Sequence, residues 1–264
     1  MKKEILTDKN IIACFSAGRT SAYMTKKLID ELECKPYIRN GVQCHLTKYG
    51  QFLYVVFNNT GKEREESLQF VKDCDDSFGF RTVWLEAITN PLKGKGVTPK
   101  VVTFETASRN GEPFEAMIAK IGLPNQARSK CTSELKTNNT NAFRRKQGLL
   151  KSWQAVGIRA DEPKRLNWEK ADKFKVFYPL VTMFPSSKQD VNKFWSLQSF
   201  DLNLKSYEGN CDLCWKKSMR KLMTIAVEHP ELTDWWSDME SKYGMFIPDG
   251  HNSESIRLEY HSEY

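Results

Sequence analysis

Long hydrophobic runs, internal repeats and low-complexity tracts are all missing from this sequence of 264 residues. No apolar stretch approaches the roughly 20 residues that a membrane-spanning helix needs, so a membrane protein is not expected. The first residues, Met1-Lys2-Lys3-Glu4, are not followed by the apolar region of a secretory signal peptide. We therefore expect a cytoplasmic protein that has no membrane partner.

Cysteine is sparse, and its count of seven is odd. In a reducing compartment such cysteines are free thiols or metal ligands more often than disulfides. The hydrophobic share of 40% and the charged share of 28% are ordinary for a globular protein. A chain of this length can bury one large α/β domain, alone or with an appended part.

Positive charge is concentrated in one segment. Residues 128–175 contain 13 Lys and Arg against 5 Asp and Glu, a net +8, whereas the whole chain carries +7. Such a basic segment attracts phosphate groups, either of a small nucleotide or of a nucleic-acid acceptor. The alternative is a solvated face that only keeps the protein soluble.

The chain is organised around residues 11–21, where an apolar run ends in small and hydroxyl residues. A helical pattern follows at once, which predicts a strand, a tight loop and a helix. A helix N-terminus presents unpaired backbone N–H groups, so Ser16–Ser21 could hold a phosphate. An ordinary turn capped by Ser and Thr is equally compatible with the local pattern.

Further apolar runs predict a parallel sheet with right-handed crossovers. Residues 52–57 and 82–85 flank a helix that starts near Lys62, and 153–158 and 176–180 are further strand candidates. Residues 34–50 and 89–100 are interpreted as loops. From residue 183 onward the pattern is helical, so we expect an α/β domain over 1–182 and a helical C-terminal region over 183–264 that packs on it.

Loops at the carboxyl ends of three predicted strands should meet at one sheet edge, where open α/β sheets bind ligands. At these loops the sequence resembles a known superfamily. The letters SAGRTS at 16–21 are similar to the phosphate loop of PP-loop ATP pyrophosphatases and sulfonucleotide (PAPS) reductases. The segments FNNTGKE at 57–63 and GIRADEPKR at 157–165 resemble two further motifs, and the likeness is greatest to the PAPS-reductase-like proteins that many phages carry.

This resemblance implies a three-layer, mostly parallel α/β fold of the adenine nucleotide alpha-hydrolase type that binds ATP or PAPS. Arg159 and Arg165 would clamp a phosphate or sulfate, and Glu162 would hold an arginine or a ribose hydroxyl. The implied catalytic residues are Lys136, Arg159 and Glu162. The implied nucleotide-binding residues are Ser16, Ala17, Gly18, Arg19, Thr20, Ser21, Phe57, Asn59, Thr60, Gly61, Arg159 and Arg165.

Two departures from the family pattern bear on the reaction. Thr20 stands where the pyrophosphatases have an Asp that helps to arrange magnesium, so magnesium is left open here. The tail 256–264 has no Cys, whereas PAPS reductases attack the substrate's sulfur with a Cys in their tail. The favoured activity is therefore ATP-dependent activation at the α-phosphate coupled to sulfur transfer onto a nucleic acid or nucleotide. A sulfonucleotide reductase and a non-catalytic nucleotide-binding module are the alternatives, and a homodimer is left open.

Cys211 and Cys214 form a Cys-x-x-Cys motif, whose two thiolates can bind one metal centre. The resemblance adds Cys131, because relatives with an iron–sulfur cluster have a Cys at the corresponding helix start. Three Cys ligands suit a 4Fe–4S cluster with one open iron, or a zinc site with a fourth ligand. Free thiols are the alternative, and Lys130, Lys136, Lys216 and Lys217 would offset the thiolate charge.

Overall fold

The computed structural model describes residues 2–125, 129–209 and 211–244. Ten α-helices, eight strands, one π-helical segment and one 3-10 turn lie within these ranges. The strands are β1 Ile11–Cys14, β2 Lys35–Arg39, β3 Val42–Leu46, β4 Phe52–Asn59, β5 Val83–Thr89, β6 Val97–Val102, β7 Trp153–Val156 and β8 Val176–Phe177. The α-helices are α1 Lys2–Asp8, α2 Arg19–Glu31, α3 Glu65–Phe78, α4 Glu112–Ile121, α5 Asn139–Lys146, α6 Trp168–Lys173, α7 Pro179–Thr182, α8 Lys188–Trp195, α9 Met219–Glu228 and α10 Glu231–Tyr243. The π-helical segment is Thr132–Asn138 and the 3-10 turn is Pro163–Arg165.

The strands form one mixed sheet whose centre is parallel. Strand β1 pairs in parallel with β4 on one side and with β7 on the other, and β5 and β8 extend the parallel part outward. The chain therefore moves outward from β1 in one direction through β4 and β5, and in the other through β7 and β8. The strand order reverses between β1 and β7, which is where open α/β sheets form a ligand crevice.

Both faces of the central strands are buried, as their continuous apolar runs predict. Ile11, Leu53 and Phe57 face one core, which α2, α3 and α8 cover. Ile12 and Tyr54 face the opposite core, which includes Phe143 of α5. Helices on both faces of a mostly parallel sheet make the three-layer α/β architecture that the sequence predicts.

The interpretation of residues 34–50 as a loop is wrong. Strands β2 and β3 form an antiparallel hairpin there, with Arg39 opposite Val42. Asn40 and Gly41 connect the strands at φ values of 51° and 72°. The pair Asn-Gly is the sequence signature of a two-residue hairpin turn, so the signal was present in the sequence.

Two smaller expectations also need correction. Within 89–100, β6 begins at Val97 and pairs antiparallel with β5 as an added strand. The predicted strand over 176–180 ends at Phe177, and Pro179 begins α7. Proline lacks the N–H that a central strand needs, whereas it fits the first position of a helix.

The C-terminal region packs against the α/β part at two places. Trp195 of α8 is buried beside Phe70, with ring centroids 4.9 Å apart. Helices α9 and α10 bury Leu222 and Trp236 in a second core with Phe114 of α4. Ser187 and Asp190 form a capping box at the start of α8. The polar tail from about residue 248 lies outside the described residues.

Candidate functional site

The loop after β1 is held by the hydroxyl of Ser21. Its Oγ accepts a hydrogen bond from the Ser16 amide at 3.2 Å and donates one to the Gly18 carbonyl at 2.9 Å. Ala17 adopts a left-handed φ of 55°, which few residues other than glycine take. The chain thereby turns sharply from the strand into α2, whose N-cap is Gly18.

The backbone N–H groups at the start of α2 are available to a ligand, as far as the described residues show. Among the described residues, no hydrogen bond is formed by the amides of Ala17, Gly18, Arg19 and Thr20. The first N–H groups of a helix have no partner within the helix, and its dipole is positive there. These four amides can therefore bind an anion directly.

Gly157, directly after β7, lets the neighbouring loop approach α2 closely. A Cβ atom built at Gly157 would lie 3.0 Å from the Ser21 Cα atom and 3.3 Å from its backbone nitrogen. Both contacts are with backbone atoms that cannot rotate away, so any larger residue would require the two loops to separate by a few tenths of an ångström. The loops after β1 and β7 are thus packed against each other at the reversal of strand order.

We expect Gly157→Ala to lower the free energy of unfolding by about 1–3 kcal/mol, the usual cost of overpacking. Gly96→Ala is the matched control, because its Cβ would meet nothing within 4 Å and its φ is not positive. Urea denaturation of both variants measures the difference. Equal midpoints for Gly157→Ala and the natural protein would contradict the close approach of the two loops.

The predicted arginine cluster lies beside this loop. Arg159 donates to Asp161 at 2.8 Å and to the Thr20 hydroxyl at 3.3 Å, and its side chain is 17% exposed. Glu162 contacts both arginines, accepting from the Arg159 amide at 3.2 Å and from the Arg165 guanidinium at 2.6 Å. Partial burial opposes ionisation of Glu162, but these hydrogen bonds outweigh it and lower the pKa of Glu162. The predicted holding role of Glu162 toward an arginine matches this geometry.

Arg19 has a partner that the sequence pattern did not reveal. Its Nε donates to an Asp201 carboxylate oxygen at 2.6 Å, and a second contact makes the pair bidentate. The Trp195 indole N–H donates to the Arg19 carbonyl at 3.1 Å. Residues of the C-terminal region therefore hold the first turn of α2, and the Arg19 side chain is engaged with a carboxylate.

The prediction that Phe57 and Asn59 contact the nucleotide is wrong, because both side chains at the end of β4 are buried. Phe57 is 1% exposed and packs against Trp84, and the Asn59 amide donates to Glu86 and to the Ser108 carbonyl, both at 2.8 Å. Neither side chain is available to a ligand. The intervening Asn58 instead lines a cavity on the α5 face of the sheet, because side chains alternate along a strand.

Two clefts open at this sheet edge and share Ser16. The larger, of about 620 Å³, is lined by the ends of β1, β4 and β7, by the π-helical segment and by residues 173–176. The other, of about 330 Å³, is lined by Gly18–Ser21, Gly157, Arg165 and residues 202–206. A ligand that passes over Ser16 can reach both the apolar walls of the larger cleft and the amides at the start of α2.

The three cysteines predicted to form a metal centre line one cavity. Cys131, Cys211 and Cys214 surround about 150 Å³ together with Thr60 and Lys136. Folding thus brings Cys131 beside a motif that lies 80 residues later in the sequence. Thr132 and Lys136 of the π-helical segment line both this thiol cavity and the larger cleft. Single π-helical turns are rare and occur often at functional sites.

Charges are balanced closely around the thiols. Lys136 Nζ lies 3.4 Å from a Glu63 carboxylate oxygen, whose partner oxygen accepts from the Thr60 amide and hydroxyl at 2.8 Å. Desolvation disfavours charged Lys136, but Glu63 and the thiols outweigh it and raise the pKa of Lys136. Burial, reinforced by Glu63, raises the pKa of the Cys211 thiol to about 12. Without a metal Cys211 is therefore a neutral thiol at neutral pH.

The donor set fits a soft metal centre. Three thiols converge, and the buried indole N–H of Trp215, next to Cys214, has no acceptor among the described residues. A bound metal would supply the positive charge that stabilises the thiolates. The described residues that place three ligand atoms within 4.8 Å of one another are Glu208, Glu228 and His229, not the thiols. One tetrahedral zinc holds its sulfurs about 3.8 Å apart. The three thiols are not drawn together to that extent, so a zinc ion or a cluster at this cavity stays a prediction.

The carboxylate and histidine group is a poor metal site by comparison. The Arg64 guanidinium contacts His229 Nε2 at 3.2 Å and Glu208 at 3.4 Å, so a cation already occupies the centre of this group. Lys205 and Tyr207 engage Glu228 at 2.8 Å and 2.6 Å. We interpret these contacts as an ion-pair network that ties α9 to the chain before the Cys-x-x-Cys motif.

Sequence reasoning missed several residues of this site. Asn58 and Glu63 lie within the segment 57–63 that carried the resemblance, yet only the structure shows which of its side chains face a cavity. Lys217, which the sequence predicts to offset thiolate charge, instead has its ammonium on backbone carbonyls. It donates to the carbonyls of Cys211 at 2.7 Å and Asp212 at 2.8 Å, and so holds the Cys-x-x-Cys turn.

The fold and this sheet edge define an α/β protein with a mostly parallel sheet, clefts at its strand ends and three converging thiols. No helix within the described ranges has the length and apolar character that a membrane crossing requires. No protein-family model matches the chain. The chain is similar to the uncharacterized nin region protein ORF290 of Escherichia phage lambda, with 28% identity over 257 residues. The match spans 94% of this chain and 80% of that protein, and it therefore includes both the α/β part and the Cys-x-x-Cys motif.

Proposed function

We propose that the protein binds an adenine nucleotide at the edge between β1 and β7 and acts at its α-phosphate. The observation on which this proposal depends is that the larger cleft and the thiol cavity share a wall. Thr132 and Lys136 line both the larger cleft and the thiol cavity, so sulfur chemistry and a nucleotide would meet at Lys136. The resemblance of the three strand-end loops to the PP-loop superfamily supports the same assignment.

In this proposal the adenosine part occupies the larger cleft and the phosphates extend over Ser16. The unpaired amides of Ala17–Thr20 bind phosphate oxygens, and Arg165, which lines the smaller cleft, adds guanidinium donors. Arg159 lies next to this cleft through its contact with the Thr20 hydroxyl and adds a second guanidinium. Arg159 is held by Asp161 and Thr20, which orients its donors before a ligand arrives. Preorganised donors of this kind stabilise developing negative charge well.

The favoured reaction is activation coupled to sulfur transfer onto a nucleic acid or nucleotide. An acceptor oxygen attacks the α-phosphorus, pyrophosphate leaves, and a sulfide then displaces AMP from the activated acceptor. Lys136 neutralises charge at the α-phosphate, and Glu63 holds its ammonium in place. A cluster held by Cys131, Cys211 and Cys214 would supply the sulfide for this displacement, which consumes no electrons.

Two other functions make different predictions in the same experiment. A sulfonucleotide reductase would convert radiolabelled PAPS to sulfite, whereas the favoured enzyme would release pyrophosphate and AMP from ATP when acceptor and sulfide are present. A non-catalytic module would bind either nucleotide without turnover. A cytoplasmic location belongs to this proposal, and the seven free cysteines support it, because free thiols are typical of reducing compartments.

Arg159→Lys is expected to weaken ATP binding about tenfold, although it keeps the positive charge. Lysine cannot reproduce the fork of donors, and a charge-assisted hydrogen bond contributes roughly 1.5–3 kcal/mol. Arg109→Lys is the matched control, because Arg109 forms a bidentate pair with Glu65 at a different place. Calorimetric titration with ATP measures both variants, and unchanged affinity for Arg159→Lys would contradict guanidinium recognition.

A further inference from the structure

The rim of the larger cleft combines an exposed aromatic ring with lysines. Phe174 is 56% exposed and lines the cleft together with Lys173 and Lys175. We call Lys173, Phe174 and Lys175 the rim surface. The exposed Lys170 lies in α6, one helical turn before Phe174. Aromatic rings interleaved with cations are the usual composition of surfaces that bind single-stranded nucleic acid.

Basic side chains are frequent in the chain around this surface, although Glu169 and Asp172 stand among the lysines of residues 168–175. Within the described residues, no ion pair is formed by seven exposed basic side chains of the segment 145–175. They are Arg145, Lys146, Lys151, Lys164, Lys170, Lys173 and Lys175. Elsewhere many surface lysines are paired, such as Lys26 with Asp30 and Lys72 with Asp76. Cations that have no ion-pair partner attract a ligand with many negative charges, such as a polynucleotide.

The aromatic side chain of Phe174 projects from a fixed backbone. The Phe174 amide donates to the Lys170 carbonyl at 2.9 Å, and the Gln154 amide of β7 donates to the Lys175 carbonyl at 2.7 Å. The Lys173 ammonium lies 5.8 Å from the centroid of the Phe174 ring. An exposed ring on a held backbone with a cation beside it can stack a base and pair with the adjoining phosphate.

We propose that the rim surface binds a single-stranded polynucleotide, with Phe174 stacking on a base at the mouth of the cleft. Bases within a duplex are already stacked and are closed to such a ring, so a single strand is the ligand that fits. The inference deepens the proposed function by giving the class of acceptor, and it rests on that function for the chemistry that follows binding. Binding itself requires no adenine nucleotide.

The test measures fluorescence polarisation of labelled oligo-dT and oligo-U of about 12 nucleotides. We expect Phe174→Ala to weaken binding of the preferred strand about tenfold. Tyr49→Ala is the matched aromatic control, because Tyr49 is 42% exposed and also has a lysine, Lys48, over its ring. A hairpin duplex of the same length should bind more weakly than the single strand. The two oligonucleotides distinguish DNA from RNA as the source of the strand.

The contribution of the lysines to strand binding is tested by measuring Kd at several salt concentrations. The double variant Lys170→Gln, Lys173→Gln should reduce the slope of log Kd against log salt by about 1.4, since each cation on a single strand contributes roughly 0.7. Lys188→Gln, Lys193→Gln on α8 is the control of equal charge.

Three outcomes would overturn the proposal: binding by Phe174→Ala equal to the natural protein, equal weakening by Tyr49→Ala, or a duplex that binds as tightly as the single strand. ATP turnover is scored separately. Strand binding that depends on Phe174 without ATP turnover would refute the proposed reaction alone, and turnover without strand binding would refute the rim surface alone.

Discussion

Gly18→Val is expected to weaken ATP binding by about 100-fold while leaving the fold intact. Gly18 has φ −119° and ψ 150°, an extended conformation that a β-branched residue adopts without strain. A Cβ atom there would lie 3.7 Å from the Ser16 Oγ atom, which is ordinary contact. The branched side chain would cover the amides at the start of α2 and displace about two charge-assisted hydrogen bonds to phosphate.

Gly18→Ala is the matched control for this variant. It adds the same Cβ atom without the two methyl groups, so we expect most of the affinity to remain. Calorimetric titration with ATP gives the affinities, and urea denaturation checks that both variants fold as the natural protein does. Full affinity in folded Gly18→Val would place the phosphates somewhere other than the start of α2.

Replacing Cys211 by Ser should abolish the visible absorbance of protein that is produced anaerobically with iron. The natural protein is expected to be brown, because Cys131, Cys211 and Cys214 line one cavity and thiolates ligate iron–sulfur clusters. Cys131→Ser should have the same effect, although Cys131 is far from the Cys-x-x-Cys motif in sequence. Absorbance spectra and iron content per chain measure the loss.

Cys34→Ser is the control for general effects of removing a thiol. Cys34 is half-buried, and its thiol is outside the thiol cavity. Its spectrum and iron content should match those of the natural protein. Colourless protein that contains one equivalent of zinc per chain would refute the cluster. Protein that binds neither iron nor zinc would show that the three thiols only pack against their neighbours.

The short apolar runs and their spacing along the sequence were sufficient to predict the sheet. The runs over 11–14 and 52–57 are short and apolar at every position, which is typical of strands buried on both faces. The order of strand, loop and helix then required parallel neighbours, and the convergence of the loops after β1, β4 and β7 followed from it. The hairpin over 35–46 was predictable too, because Asn40-Gly41 is a strong local signal.

Local sequence patterns could not predict which side chains at the end of β4 face the cleft. Phe57, Asn58 and Asn59 are consecutive, and which of them faces the cleft depends on register and on what packs against each face. The structure directs Asn58 toward α5, where its amide donates to Thr140 at 2.9 Å, and buries Asn59 against Glu86. A shift of one residue would exchange these roles.

What the sequence by itself determined is therefore local: a short loop between a buried strand and a helix, a Cys-x-x-Cys pair at fixed spacing, and a basic segment. Which residues contact these elements was decided only by the tertiary structure. It brings Cys131 to Cys211 and Cys214, joins Arg19 to Asp201, and makes Lys136 a wall of two cavities. The physical reason is that contacts between residues 80 or more positions apart arise from how helices and strands bury their apolar faces together. No spacing within a segment encodes that packing.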